Sequence, residues 1–226
     1  MLTFHRRKIV FAALLYAVAL LFFVNAVPAE QDPLRGSVSA KRIGILPFQS
    51  LSPESGNTVF CPFCGLGASG GKILEGAEKT VEDIFTEKLK TIRGLEIIPQ
   101  EKVQGVYARV SSEQLRRSFA ETLKLTGQEL GVDYLAVGYV YRYAERVGFK
   151  YSSERPASVV FEIHLVRAAD GADVWRGFFD KTQKSLMEDV LQVASFLRGG
   201  AKWVTARQLA GQGMDEVFKS FPDFQQ

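Results

Sequence analysis

The residues best suited to chemistry are Cys61 and Cys64, spaced Cys61-Pro-Phe-Cys64 and followed at once by Gly65. Two thiols at this spacing support three chemistries. They can close a small disulfide ring in an oxidising compartment. They can act as a redox pair, which calls for a thiol at a helix start just after a strand; here Gly65, Gly67, Gly70 and Gly71 intervene before the next helical pattern. They can also supply half of a tetrahedral zinc site. With two Cys in the chain, the remaining ligands would come from His164, a carboxylate or a second subunit, and a four-Cys site would need a dimer or ring. His164 stands two residues from Glu162 in an alternating segment, so the pair shares one strand face. The simpler account of that pair is plain adjacency, with His164 solvated or covered by a helix.

Other motifs are literal matches without the context their chemistry needs. Gly65-Leu-Gly-Ala-Ser-Gly70 spells the dinucleotide fingerprint and Gly67-Ala-Ser-Gly-Gly71 the nucleophile elbow, yet both require a strand immediately before the turn. Lys72 is not a phosphate-loop lysine, because Leu66 occupies the required Gly position and Ile73 replaces Ser or Thr. The glycines are read as turn chemistry. Tyr139, Tyr141 and Tyr143, with Phe149 and Tyr151, form an aromatic-rich hairpin. Tyr139 is assigned to the core. Tyr141, Tyr143, Phe149 and Tyr151, toward the distal end, are partner-binding candidates, since Tyr is enriched among interface anchors and a hairpin can add a strand to a partner's edge.

These residues must be positioned by a sheet. The strongest strand signal is 133–143, with Leu135, Val137, Tyr139, Tyr141 and Tyr143 on one face and Tyr134, Ala136, Gly138, Val140 and Arg142 on the other. It reads as a central strand in which Gly138 leaves room for a helix or another backbone to pack close. Segment 41–48 is a first strand ending at Pro47, and 49–72 is a Cys/Gly-rich loop long enough to suggest a function. Residues 73–93 carry the stripe Leu74, Ala77, Val81, Ile84, Phe85, Leu89 and Ile92 of an amphipathic helix. A short strand at 95–98 and a short helix around 103–110 follow, and Ser111-Ser-Glu-Gln114 fits a capping box opening another helix. Segment 158–166 alternates, Asp170-Gly171 makes a tight turn, and 172–181 completes a three-strand antiparallel meander. Helices are expected at 185–196 and 202–220. The fold class is therefore α/β, of an α+β-like kind, with a single mixed sheet of about five strands in one domain over 41–222.

The chain opens with Arg6, Arg7 and Lys8, an apolar run over 9–24, and small residues at Val27 and Ala29, the order of a secretory signal peptide over 1–29, with an uncleaved anchor as the alternative. Residues 30–40 read as a flexible leader. Removing 29 of the 226 residues leaves 197, and the three removed cations account for the whole formal charge of +3. A neutral mature chain without basic clusters excludes nucleic acid as a partner, and leaves membrane contact to the N-terminal segment. No Cys lies near the cut, so a lipid-bearing mature end is not expected. The location expected is the periplasm.

Three stretches together, Lys41-Arg-Ile-Gly-Ile-Leu-Pro-Phe48, Gly131-Val-Asp-Tyr-Leu-Ala-Val-Gly138 and Leu165-Val-Arg-Ala-Ala-Asp-Gly-Ala-Asp-Val-Trp175, resemble envelope proteins related to the curli secretion lipoprotein. That superfamily includes the outer-membrane activators of penicillin-binding proteins and the TolB amino-terminal domain. The resemblance spans about 41–221 and implies a domain of the Gram-negative envelope that binds other envelope proteins, sometimes as dimers or rings, without catalysis. Many relatives carry a lipidated amino-terminal Cys, which this chain lacks, and the link 144–157 is too short and charged to cross a membrane. The expected function is a non-catalytic periplasmic protein-binding module assisting assembly or regulation of an outer-envelope component, without a cofactor. The alternative is a thiol-disulfide or metal-handling protein using Cys61 and Cys64, with zinc as its ion.

Overall fold

The computed structural model describes residues 40–112, 118–149, 152–183 and 204–224. The expected signal peptide, nearly all of the leader, the helix at 185–196 and Tyr151 lie outside the described residues. No helix among the described residues is long and apolar enough to cross a membrane.

The alternating segments form one six-stranded mixed sheet. Its strands are β1 (Lys41–Ile45), β2 (Gln49–Ser50), β5 (Leu95–Ile97), β6 (Tyr134–Ala144), β9 (Ser158–Arg167) and β10 (Asp173–Thr182). The spatial order is β10-β9-β6-β1-β5, with β1 parallel to β5 and β6, and β6, β9 and β10 forming the expected antiparallel meander. β2 continues along the same edge of β6 after β1. Pro47, which has no N–H to give to a ladder, lies in the gap between them.

The long 49–72 segment is more ordered than a loop reading implies, because β3 (Thr58–Phe60) and β4 (Gly67–Ser69) pair in it as an antiparallel hairpin. A second small hairpin, β7 (Val147–Phe149) with β8 (Ser152–Arg155), fills the link between β6 and β9.

Apolar stripes cover both sheet faces. On one face, helix α1 (Ala77–Leu89) lays down Val81, Phe85 and Leu89, and helix α4 (Ala206–Val217) lays down Leu209, Ala210 and Met214, against Ala136, Phe161, Ile163 and Leu165. Helix α2 (Gln100–Ser112), helix α3 (Phe119–Leu130) and the β3–β4 hairpin cover the other, through Val103, Leu123, Leu130, Val59 and Cys61. Ser111 and Ser112 belong to the last turn of α2, so the expected capping box there is overturned. The cap of α3 is Ser118, whose hydroxyl accepts the Glu121 N–H at 3.3 Å. The expected last helix ends earlier, giving way to a 3-10 turn at Phe218–Ser220.

A bulge in β6 changes which side chains share a face. Val140 pairs with Phe161 and Arg142 with Val160, so Tyr141 is an extra residue and the alternation slips by one. Tyr139 and Tyr141 face α2, α3 and the hairpin, whereas Tyr143 turns to the α1/α4 side. Gly138 meets the ring of Phe48, which a Cβ would approach to 2.4 Å, so the close neighbour is a side chain and not a helix backbone.

Candidate functional site

Cys61 and Cys64 are brought to the sheet by the β3–β4 hairpin. Its ends are locked by Cys61 N–H to Leu66 O and Gly65 N–H to Cys61 O, both 2.9 Å. Gly65 has φ +73°, a left-handed conformation that a side chain would strain. The remaining glycines are also structural. Gly70 packs against Val59 and Pro53, and Gly71 against Arg142, each closer than a Cβ would allow. Ser69 in the elbow-like match lies in β4, its hydroxyl accepting from Arg142 Nη1 at 2.9 Å.

Beneath the hairpin, β9 presents Glu162 and His164, both fully buried. Neither is solvated, and the cover over them is the Cys hairpin. Phe63, between the two cysteines, stands edge-on to the His164 ring at 4.9 Å. The Cys61 Sγ lies 3.4 Å from His164 Nε2, the Cys64 Sγ lies 3.6 Å from Glu162 Oε1, and Nε2 is 3.3 Å from Oε1. The two sulfurs, the carboxylate and the imidazole all fall within 4.8 Å of one another. Two residues from a loop and two from a strand about a hundred positions later thus converge on one point.

His164, Glu162 and Cys61 are each held by a further partner. The His164 Nδ1 is 2.7 Å from Asp173 Oδ2; a carboxylate only accepts, so Nδ1 carries a proton and Nε2 is the nitrogen turned to the sulfurs. The Tyr141 hydroxyl donates to Glu162 Oε2 at 2.7 Å, and Arg176 Nε donates to Oε1. The Cys64 N–H donates to Cys61 Sγ at 3.4 Å. Tyr141 lies on the same face of β6 as Tyr139, the residue paired with Glu162, and the antiparallel register puts Arg176 opposite His164.

Electrostatics follow from this geometry. Burial pushes the Cys61 thiol up, but hydrogen bonds from His164 and from the backbone amides of Cys64 and Phe63 outweigh it, and its pKa falls below the ordinary thiol value. The Cys64 thiol is raised, by burial first and then by neighbouring Cys61 and Glu162. Burial would raise Glu162, yet the donors His164, Tyr141 and Arg176 hold it down to about 2. Burial would lower His164, yet Asp173, Cys61 and Glu162 hold its proton, up to about 11. Burial, then Glu162, raises Tyr141 well above the usual phenol range. The cluster sets the carboxylates of Glu162 and Asp173 against two cationic groups, His164 and Arg176.

Of the three chemistries open to the motif, the disulfide ring is not formed here, since both cysteines are free thiols. Of the partner-binding candidates, Tyr141 is fully buried and Tyr143 is buried, so neither offers a docking surface. The β3–β4 hairpin side of the sheet encloses Tyr141 and the α1/α4 side encloses Tyr143, where period-two reading leaves them at an open end. The Phe149 side chain lies outside the described residues. Among the described residues, the exposed large apolar side chains are instead Phe60, Leu66, Val147 and Phe178, with Phe60 67% and Leu66 52% exposed on the Cys-bearing hairpin. Sequence reading had Cys61, Cys64, Glu162 and His164 but missed Asp173 and Arg176. The register of a hairpin turning at Asp170-Gly171 was the available signal for Arg176.

No protein-family model and no curated protein sequence matches the chain. Among solved structures, it is similar to the PelC dodecamer from Paraburkholderia phytofirmans, at 12% identity and TM-score 0.43, over 80% of this chain and 86% of that one. It is similar to lipoprotein GNA1162 from Neisseria meningitidis, at 13% identity and TM-score 0.39, over 71% and 98%. The LpoB C-terminal domain from Salmonella enterica matches at 10% identity and TM-score 0.38, over 66% and 87%. Identities and scores this low carry nothing about activity or partner.

Proposed function

We propose that the chain is a non-catalytic module of the cell envelope that works through protein contacts, with the β3–β4 hairpin as its contact point. The observation that carries this reading is the closure of the thiol, imidazole and carboxylate cluster. Its groups are satisfied by one another and by Tyr141, Arg176 and Asp173, with Cys61, Glu162 and His164 buried. Catalysis needs an open position at which a reacting atom can sit.

Two features count against a thiol-disulfide role. The thiol with the lowered pKa, Cys61, is 2% exposed, while the more accessible Cys64 has its pKa raised. Attack on a partner disulfide needs thiolate character and access in the same sulfur. Phe60 and Leu66 flank the motif and project from the hairpin. Exposed aromatic and aliphatic side chains on a rigid support are suited to anchoring an interface.

The test is a photo-crosslinking side chain placed in turn at Phe60, Leu66 and the exposed Glu121 on α3, in cells that export the protein. Discrete higher-mass products at 60 and 66, absent at 121, are expected, and their composition separates a second copy from another envelope protein. Equal labelling at all three positions, or none at 60 and 66, overturns the reading.

A further inference from the structure

From the convergence of Cys61, Cys64, His164 and Glu162, we infer that this chain binds one zinc ion in a closed four-ligand site that fastens the β3–β4 hairpin to the sheet. A tetrahedral zinc ion with bonds of about 2.0–2.3 Å places its ligand atoms about 3.3–3.8 Å apart. Three of the six ligand-ligand separations here already have such values, at 3.3, 3.4 and 3.6 Å, and the others need contract from no more than 4.8 Å. The ion therefore needs no second subunit and no second pair of cysteines.

The chemistry of the donor set points the same way. Two thiolates and an imidazole suit zinc, whereas magnesium and calcium take oxygen ligands. Four protein ligands leave no position open to water, the mark of a structural site. The hydrogen bond that Nδ1 donates to Asp173 fixes the tautomer that leaves Nε2 as the ligand nitrogen. Tyr141 and Arg176 orient the Glu162 carboxylate, and the Cys64 N–H supports the Cys61 sulfur. Zinc with two thiolates, one carboxylate and a neutral imidazole carries a net charge of −1, beside which the Arg176 guanidinium stands. Binding displaces the thiol protons and any proton on Nε2 into solvent.

This inference stands apart from the protein-contact reading: a zinc-free chain can still crosslink at Phe60, and a zinc-bound one can fail to. The experiment uses the full-length chain purified in mild detergent under reductant, stripped with chelator and titrated with zinc, then with cobalt as a spectroscopic probe. One metal ion per chain is expected. Cobalt should show thiolate charge-transfer absorption and the intense visible bands of a tetrahedral ion. Cys61→Ser/Cys64→Ser should lose both signatures, while Asp173→Asn, which leaves every ligand in place, should keep the stoichiometry and bind about 10–100-fold more weakly. Zinc should also slow proteolysis at residues 58–69 of the wild type. A folded, reduced wild-type chain whose two thiols react freely and which yields no tetrahedral cobalt spectrum overturns the inference. Equal affinity of the wild type and the double Ser variant does so as well.

Discussion

Tyr141→Phe isolates one bond of the buried cluster while leaving its packing almost unchanged. The hydroxyl donates to Glu162 Oε2 at 2.7 Å, with both residues fully buried, so neither finds water when the bond is removed. A hydrogen bond to a charged group contributes about 1.5–3 kcal/mol, and the upper half of that range applies where the acceptor stays buried. For a domain of this size, with a urea slope of roughly 2 kcal/mol per M, the midpoint should fall by about 1 M at unchanged slope. Thermal unfolding should shift down by about 5–12 °C. Both are measured with chelator present, so that no metal contributes. Repeating Tyr141→Phe in a Glu162→Gln background should reduce its cost to about 1 kcal/mol, the value for a neutral pair. A loss below about 0.5 kcal/mol in the wild-type background would refute the argument, since it would mean that Glu162 is satisfied without Tyr141.

Three further predictions concern the scaffold. Gly138→Ala drives a Cβ to 2.4 Å from the Phe48 ring, which is itself packed on Phe85 at 5.7 Å, and should cost about 1–3 kcal/mol in denaturant unfolding. Glu82 is a buried carboxylate on α1 that accepts the Phe48 N–H at 2.9 Å, as well as Gln100 Nε2 and Lys79 Nζ. Glu82→Ala strands the buried Phe48 N–H and empties a buried position, and should cost about 3 kcal/mol, whereas a surface control such as Glu87→Ala should stay within about 0.5 kcal/mol. Thr205 and Gln208 form a reciprocal capping box at the start of α4, at 3.1 and 3.0 Å, so Thr205→Ala should lower stability by about 1 kcal/mol and increase amide exchange in the first turn of that helix.

The sequence by itself determined the meander and the amphipathic stripe of α1, and it singled out Cys61 and Cys64, while Glu162 and His164 read as plain neighbours on one strand face. Alternation and helical spacing are local properties, and Cys-x-x-Cys is legible wherever it falls. It did not show that Cys61 and His164, 103 positions apart, stand 3.4 Å from each other. That contact depends on strand order and on the β3–β4 hairpin folding back over β9, and no local period encodes either. Tyr141 and Tyr143 make the same point on a smaller scale. Their types and spacing suggest an exposed aromatic end, but two covering layers bury both: Tyr141 keeps the Tyr139 face, and the extra residue in β6 turns Tyr143 to the opposite one. Only tertiary structure decided that Tyr141 holds a carboxylate rather than a partner, because burial belongs to the packed layers and not to the strand that carries the residue.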